Sequence, residues 1–438
     1  MPCSIESIHA REVFDSRGKP TVEVEIRCRG AQRASAIVPS GASTGRFEAV
    51  ELRDRDSSRL GGNGVLQAVR NVRDVIAPAL LGMDADDQAA LDRRMLELDG
   101  TGHKSQLGAN AILGVSLAAA HAAANAKQVS LVEQLHNIWS RVPSTLAAPR
   151  REMSIPLPMV NMISGGLHAG GNLDIQDFLI MPVGAGTYRQ ALDWIVTVYH
   201  ELGRLLREAG FEGTLVGDEG GYGPKLAQND QALEFVVAAI GAAGLRPRED
   251  VAIALDIASS HFYRDGYYQL AADRGARFTS DEMIDLLAGW VDRYPIVSIE
   301  DGLAEDDWPG WARLTERLGA RVQLIGDDLF VTNKERLRRG IESRTANCVL
   351  VKVNQIGTLT ETFETLRLAL DSGYRAVISA RSGETEDCTI ADLAVATGAG
   401  QIKIGSVARS ERLAKYNQLL RLEERLGRNV RFADFPIS

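Results

Sequence analysis

The chain has 438 residues, with 49 basic and 58 acidic side chains and a formal net charge of −9. This length predicts two domains, or one large barrel with an added unit. The acidic balance, without long runs of like charge, argues against a surface for nucleic acid or for an anionic membrane. Four widely spaced cysteines without a CxxC pair, and an N-terminus without an apolar stretch, predict a cytoplasmic protein.

The sequence pattern of residues 1–140 predicts a small α+β domain. The stretches TVEVEIRC, residues 21–28, and RASAIVP, residues 33–39, alternate apolar and polar side chains, as strands of an antiparallel sheet do. Helical patterns follow in residues 64–82 and 86–100, and each ends in a glycine that can stop a helix. We therefore expect a sheet with one face exposed to solvent and with helices packed on its opposite face.

A second domain is predicted over residues 141–438, after a boundary in the proline-containing stretch 140–158. Short apolar runs alternate there with amphipathic helical segments, at intervals of about one strand plus one helix. Each run carries one reactive side chain, in the order Asp256, Glu300, Asp327, Lys352, Arg381 and Lys403. Continuous apolar runs indicate parallel strands covered on both faces, hence a (β/α)8-type barrel with these residues at its C-terminal mouth. An open doubly wound sheet is the alternative, but the chain has no GxGxxG turn.

The carboxylates predict a metal site at this mouth. Asp256, Glu300 and Asp327 offer only oxygen ligands, which favours Mg²⁺ over Zn²⁺. Each acid alone could instead cap a helix or form a salt bridge. Lys352 and Lys403 lie in apolar strands, where each needs either an acidic partner or a catalytic task. A lysine whose pKa is lowered by neighbouring cations could act as a general base.

Other polar side chains could line the same pocket. Arg381 and Ser382 form a fork suited to phosphate or carboxylate. Three glycine-rich loops supply further groups, namely Glu219, His168, Gln176, Asp177 and Ser43. These loops could also be plain turns or linkers. The sequence thus predicts one pocket that holds a cation and an anionic substrate.

Eight motifs together resemble the enolase family over essentially the whole chain. They are SGASTGRFEAVELRD, LGANAILGVSLA, GDEGG, SIEDGLAEDDW, GDDLFVTN, KVNQIGT, RSGETEDCTIADLAVATGAGQIK and ARSERLAKYNQLLRLEE. The resemblance implies an α/β fold, with a small N-terminal α+β domain before an enolase-type barrel whose opening departs from regular alternation. It also implies an Mg²⁺-dependent enzyme that acts on a small phosphorylated substrate and forms a homodimer or an octamer.

The resemblance assigns roles on the metal side of the pocket. Asp256, Glu300 and Asp327 would hold the tighter Mg²⁺, and Ser43 would meet a second ion. His168 would close over the substrate phosphate. Two divalent ions would stabilise the negative charge that builds on the substrate carboxylate.

It also assigns the proton transfers. Lys352 would remove the C2 proton of 2-phosphoglycerate, with support from Lys403, which faces the substrate carboxylate. Glu219 would help the 3-hydroxyl to leave, while Arg381 and Ser382 would grip the phosphate.

Five positions depart from the family pattern. Ala380 stands where the family has histidine, and Asp177 stands where it has a glutamate that works with the residue matching Glu219. Ile404 replaces a threonine, His261 replaces a glutamate and Lys19 replaces an asparagine. The departures at positions 380 and 177 affect the side of the pocket that handles the hydroxyl and water, so they predict weakened hydration chemistry.

The main functional hypothesis follows from Ala380. Its small side chain would admit a larger group or a nucleophile other than water, as in carboxyphosphonoenolpyruvate synthases, which act on phosphonate substrates in natural-product biosynthesis. One alternative is an ordinary enolase, the 2-phospho-D-glycerate dehydratase of glycolysis. Another is a catalytically silent enolase-like binding protein, against which the retained lysines and acids argue, because buried charges without a task are costly.

Overall fold

The computed structural model describes residues 3–42, 45–145, 152–272 and 275–435. Its strands are β1 (Ile5–Phe14), β2 (Pro20–Cys28), β3 (Arg33–Ile37), β4 (Ser154–Ile155), β5 (Leu157–Ser164), β6 (Asp177–Met181), β7 (Ala252–Asp256), β8 (Tyr263–Arg264), β9 (Tyr267–Leu270), β10 (Ala276–Phe278), β11 (Ile296–Glu300), β12 (Gln323–Gly326), β13 (Cys348–Val351), β14 (Arg375–Ser379), β15 (Gly400–Gly405) and β16 (Arg431–Phe432). Its α-helices are α1 (Leu66–Asn71), α2 (Ala77–Leu80), α3 (Gln88–Asp99), α4 (Ala109–Lys127), α5 (Leu131–Arg141), α6 (Tyr188–Glu208), α7 (Asn229–Ala242), α8 (Ser280–Arg293), α9 (Trp308–Leu318), α10 (Lys334–Glu342), α11 (Val353–Ile356), α12 (Leu359–Asp371), α13 (Thr389–Thr397) and α14 (Ser410–Leu426).

The N-terminal sheet consists of β1, β2 and β3 in antiparallel order. Alternate residues of β2 are buried, including Val22, Val24 and Ile26, and this pattern predicted the strand. Helix α4 packs on the same face. A Cβ on Gly114 of α4 would come within 2.6 Å of Val24, so this close approach requires glycine.

Eight strands form a closed barrel in the order β5, β6, β7, β11, β12, β13, β14 and β15, with β15 next to β5. The predicted barrel is therefore confirmed, and the open-sheet alternative is wrong. Strand β6 runs antiparallel to both β5 and β7, whereas the other neighbours are parallel. Because of this reversal, the first residue of β6, Asp177, pairs with the last residues of its neighbours, Ser164 and Asp256. The reversed strand thus brings Asp177 to the mouth.

Buried polar contacts join the N-terminal unit to the barrel. Lys104 is 2% exposed, and its Nζ donates to Glu361 Oε1 at 3.0 Å. Asp92, which is fully buried, accepts bonds from the amide and hydroxyl of Thr360 at 3.0 and 2.6 Å. Lysine and aspartate in such surroundings need partners, so each unit completes the core of the other.

The helices of the described ranges include none with the length and apolarity of a membrane span. The longest described helix, α6, has 21 residues and buries Ala191, Ile195, Val198 and Leu202 along one stripe. This spacing of three and four residues is that of an amphipathic helix that covers a barrel.

Candidate active site

Charged residues converge at the carboxyl ends of the barrel strands. Asp256 and Glu300 are the last residues of β7 and β11 and pair directly in the parallel register. Asp327 follows β12 and Lys352 follows β13, while Lys403 lies within β15. Parallel strands of a barrel end at one face, so residues that are distant in sequence meet here.

Both lysines form ion pairs with these acids. Lys403 Nζ donates to Asp256 Oδ2 at 2.7 Å and to both carboxylate oxygens of Glu300 at 2.9 Å. Lys352 Nζ donates to Asp327. Burial alone would lower the pKa of each lysine, but the nearby carboxylates outweigh it and raise both pKa values. A lowered pKa for Lys352, which a general base requires, would therefore depend on a cation bound to these carboxylates that offsets their charge.

The acids at this mouth fit a divalent cation. Asp256, Glu300 and Asp327 are between 1% and 7% exposed and offer oxygen ligands only. Burial, and then the neighbouring Asp256, raise the pKa of Glu300 well above its usual value. Negative charges crowded in this way favour binding of a cation such as Mg²⁺.

Asp301 and Asp328 extend this acidic cluster, and sequence reasoning missed both. Together with Asp327 they place ligand atoms within 4.8 Å of one another. Asp301 accepts the backbone N–H groups of Asp327 and Asp328 at 3.0 and 2.8 Å, which fixes the turn after β12. The SIED and GDD motifs contained the signal, because in each motif two acids are adjacent.

A second compact group contains His168, Asp177 and Glu219. His168 Nδ1 lies 3.0 Å from Asp177 Oδ2, and its Nε2 lies 3.9 Å from Glu219 Oε1. Asn161, which sequence reasoning missed, donates to Asp177. Burial alone would lower the pKa of His168, but Asp177 and Glu219 raise it to about 9. The group therefore holds an imidazolium between two carboxylates at neutral pH.

Residues of the N-terminal unit contact the predicted anion fork. Arg381 Nη1 and Nη2 donate to the two carboxylate oxygens of Glu48 at 3.2 and 3.3 Å. Ser382 Oγ accepts from Arg17 Nη1 at 3.2 Å and from the amide of Ala42 at 2.7 Å. Sequence reasoning missed Glu48 and Arg17, although Glu48 lies in the motif SGASTGRFEAVELRD.

A narrow cavity lies between these groups. Its lining residues are His168, Gln176, Glu219, Asp256, Lys352, Ser379, Ala380, Arg381, Ser382 and Lys403. Gln176 Nε2 donates to Asp256 at 3.1 Å, while its buried Oε1 has no partner among the described residues. Asp177 lies behind His168, and Ser43 lies outside the described residues.

Two parts of the chain match two family descriptions. Residues 5–135 match "Enolase, N-terminal domain", and residues 152–436 match "Enolase, C-terminal TIM barrel domain". The chain belongs to the enolase family. The proteins named enolase from Tropheryma whipplei strains Twist and TW08/27 are each 54% identical to it over 432 residues, 98% of this chain and 97% of theirs.

Membership of the enolase family confirms an Mg²⁺-dependent lyase. The hypothesis of a carboxyphosphonoenolpyruvate synthase is wrong, because the identity of 54% to curated enolases spans nearly the full length of both chains.

Proposed function

We propose that this enolase family member dehydrates 2-phosphoglycerate to phosphoenolpyruvate, with two Mg²⁺ ions at the barrel mouth. The observation that carries the proposal is the meeting of two lysines, three strand-end carboxylates and an arginine around one small cavity. The two relatives named enolase add support through their identity of 54%.

Two lysines and the metal ligands take different parts in the removal of the C2 proton. Lys352 is the base, and Lys403 on β15 faces the substrate carboxylate. Asp256, Glu300 and Asp327 would hold one Mg²⁺, and Ser43 would contact the second. Bound Mg²⁺ supplies positive charge that stabilises the substrate carboxylate as it gains negative charge.

The opposite side of the cavity serves the leaving hydroxyl. Glu219 passes to the hydroxyl a proton that it takes from the His168 imidazolium, whose Nε2 lies 3.9 Å from Glu219 Oε1. Asp177 holds the imidazolium in this orientation through Nδ1. Arg381 and Ser382 bind the phosphate, and Gln176 contributes a buried oxygen without a protein partner among the described residues.

The assay that tests the proposal follows 2-phosphoglycerate and the purified chain with Mg²⁺ by the absorbance of the enol product. We expect product formation that stops on addition of a chelator and resumes with excess Mg²⁺. Absence of both product and exchange of the C2 hydrogen in D₂O, under conditions where the protein is folded, would refute the proposal.

We further propose a domain boundary between residues 140 and 141, a homodimer or an octamer, and a cytoplasmic location. The interval between the two family matches, residues 136–151, supports the boundary. The four free cysteines support a reducing compartment. Sedimentation analysis of the purified chain tests the assembly, and a monomer would contradict it.

The His168–Asp177 pair predicts a pH limit on activity. His168 carries a proton below its pKa of about 9, so kcat should fall as the pH rises through that value. An Asp177→Asn variant loses the charge that raises this pKa, so its fall should occur at lower pH. Near pH 8, we expect kcat of the Asp177→Asn variant to be about 100-fold lower than kcat of the unchanged chain. Asp193→Asn, on the exposed face of α6, is the matched control and should leave the pH profile of kcat unchanged. If kcat of Asp177→Asn fell at the same pH as kcat of the unchanged chain, the assignment to His168 would be contradicted.

An imidazole at position 380 should increase the rate. Ala380 lines the cavity next to Arg381, and its methyl group cannot donate a proton. Ala380→His would add a proton-transfer group, for which we expect a kcat increase of about tenfold or more. Ala380→Ser, which adds little volume, controls for packing. A kcat for Ala380→His at or below that of the unchanged chain would show that His168 and Glu219 already suffice.

A further inference from the structure

We propose that Glu48, a residue of the N-terminal unit, positions the phosphate-binding Arg381 and the metal-side carboxylate of Asp327. The inference rests on the proposed function and adds a residue that none of the predicted roles included. It would give the N-terminal unit a second role at the active site, beside the one proposed for Ser43.

The contact with Arg381 fixes the plane of its guanidinium. Both carboxylate oxygens of Glu48 accept from it, at 3.2 Å from Nη1 and 3.3 Å from Nη2. The two side chains are 8% and 3% exposed, so water screens the pair little. Asn354 Oδ1 accepts a further bond from Nη1 at 2.8 Å. These contacts fix the plane of the fork.

The same carboxylate is linked to Asp327 through one amide. Gln355 Nε2 donates to Glu48 Oε1 at 3.3 Å and to Asp327 Oδ1 at 2.8 Å. Thr332 donates to Gln355 Oε1 at 2.8 Å, which assigns the orientation of the amide. The two N–H groups of the Gln355 amide therefore donate one hydrogen bond to Glu48 and one to Asp327. If Glu48 moved, the Gln355 side chain would lose one of its hydrogen-bond partners, and its contact with the Asp327 carboxylate would be less firmly fixed.

The local backbone holds Glu48 in place. The amide of Gly45 donates to Glu48 Oε1 at 3.0 Å, and the amide of Ala49 donates to the carbonyl of Gln355 at 2.8 Å. A Cβ on Gly45 would come within 2.9 Å of Val331 and 3.0 Å of Asp328, so the turn lies directly on the barrel. The carboxylate position is thus set by contacts on both sides of the interface between the two units.

Charge alone predicts the opposite effect of Glu48 on phosphate. A carboxylate beside Arg381 repels an incoming phosphate, so its removal should tighten binding if repulsion dominates. Orientation dominates in our proposal, because a fixed bidentate geometry strengthens contacts between arginine and anions. The sign of the change in phosphate affinity therefore decides between the two effects.

The test compares Glu48→Gln with Glu51→Gln in the full chain. Glu51 lies on the same segment, pairs with Arg53 and acts on Arg381 less strongly than Glu48, so it controls for the loss of a nearby negative charge. The probes are inorganic phosphate, measured by calorimetry without turnover, and the KM for 2-phosphoglycerate. For Glu48→Gln we expect both the phosphate dissociation constant and KM to rise about tenfold, with a higher Mg²⁺ requirement and a smaller change in kcat. Glu51→Gln should change each value by less than about twofold.

Three results would overturn the inference. They are tighter phosphate binding in Glu48→Gln, equal effects of the two variants, or a lower melting temperature without a change in phosphate affinity. Glu48→Asp, which keeps the charge but withdraws it, should weaken phosphate as well, and this variant also serves if Glu48→Gln does not fold. Phosphate binding is measured without turnover, so a failure of the proposed dehydration would be seen separately.

Discussion

Replacement of Lys352 by alanine should lower kcat for 2-phosphoglycerate dehydration by about 1,000-fold, because the variant lacks the base that removes the C2 proton. Lys352 lies directly after β13, lines the cavity and pairs with Asp327. Steady-state kinetics should be combined with exchange of the C2 hydrogen in D₂O, since this exchange reports proton removal even when the hydroxyl stays.

The control for this variant is Lys334→Ala. Lys334 pairs with Glu364 at 3.0 Å, its side chain is 40% exposed, and it is not among the residues that line the cavity. Its loss should leave kcat within about twofold, because exposed ion pairs contribute little. If Lys352→Ala still exchanged the C2 hydrogen at the normal rate, the base would have to be another group.

Replacement of Glu300 by glutamine should raise the Mg²⁺ concentration for half-maximal activity by about 100-fold. Glu300 is 1% exposed and shares Lys403 with Asp256, so an amide there removes one charge from a closed site. Calorimetric titration with Mg²⁺ measures the affinity directly, without substrate.

Asp306→Asn is the matched control for the metal site. Asp306 lies six residues further along the chain, pairs with Arg46 and has a side chain that is 50% exposed. Its Mg²⁺ affinity should equal that of the unchanged chain. An unaltered affinity in Glu300→Gln would remove Glu300 from the proposed ligand set.

Regular local patterns explain why the barrel was predictable. Each apolar run ending in a charged residue became a strand whose end lies at the mouth, as for β7 with Asp256 and β11 with Glu300. Strand β1 was missed, because its burial follows no clean alternation. The family resemblance implied an irregular opening of the barrel but did not specify the reversal of β6, since the direction of a strand leaves no mark in a five-residue run.

Contacts between distant residues explain what the sequence could not show of the site. Glu48 and Arg381 are 333 residues apart, and no periodicity connects them. The assigned roles of Lys352 and Glu219 remain predictions, although the structure places both beside the same cavity. The functional hypothesis failed because two positions, Ala380 and Asp177, were given more weight than similarity along the whole chain.

The buried pair of Lys104 and Glu361 bears on how the protein is made. Its members are 257 residues apart, so the ammonium group leaves the ribosome long before its partner. At common translation rates this interval lasts roughly 13 to 50 seconds. During that time the N-terminal unit cannot bury Lys104 with its charge compensated. We therefore expect that the nascent unit stays incompletely packed, and open to chaperones, until helix α12 has been synthesised.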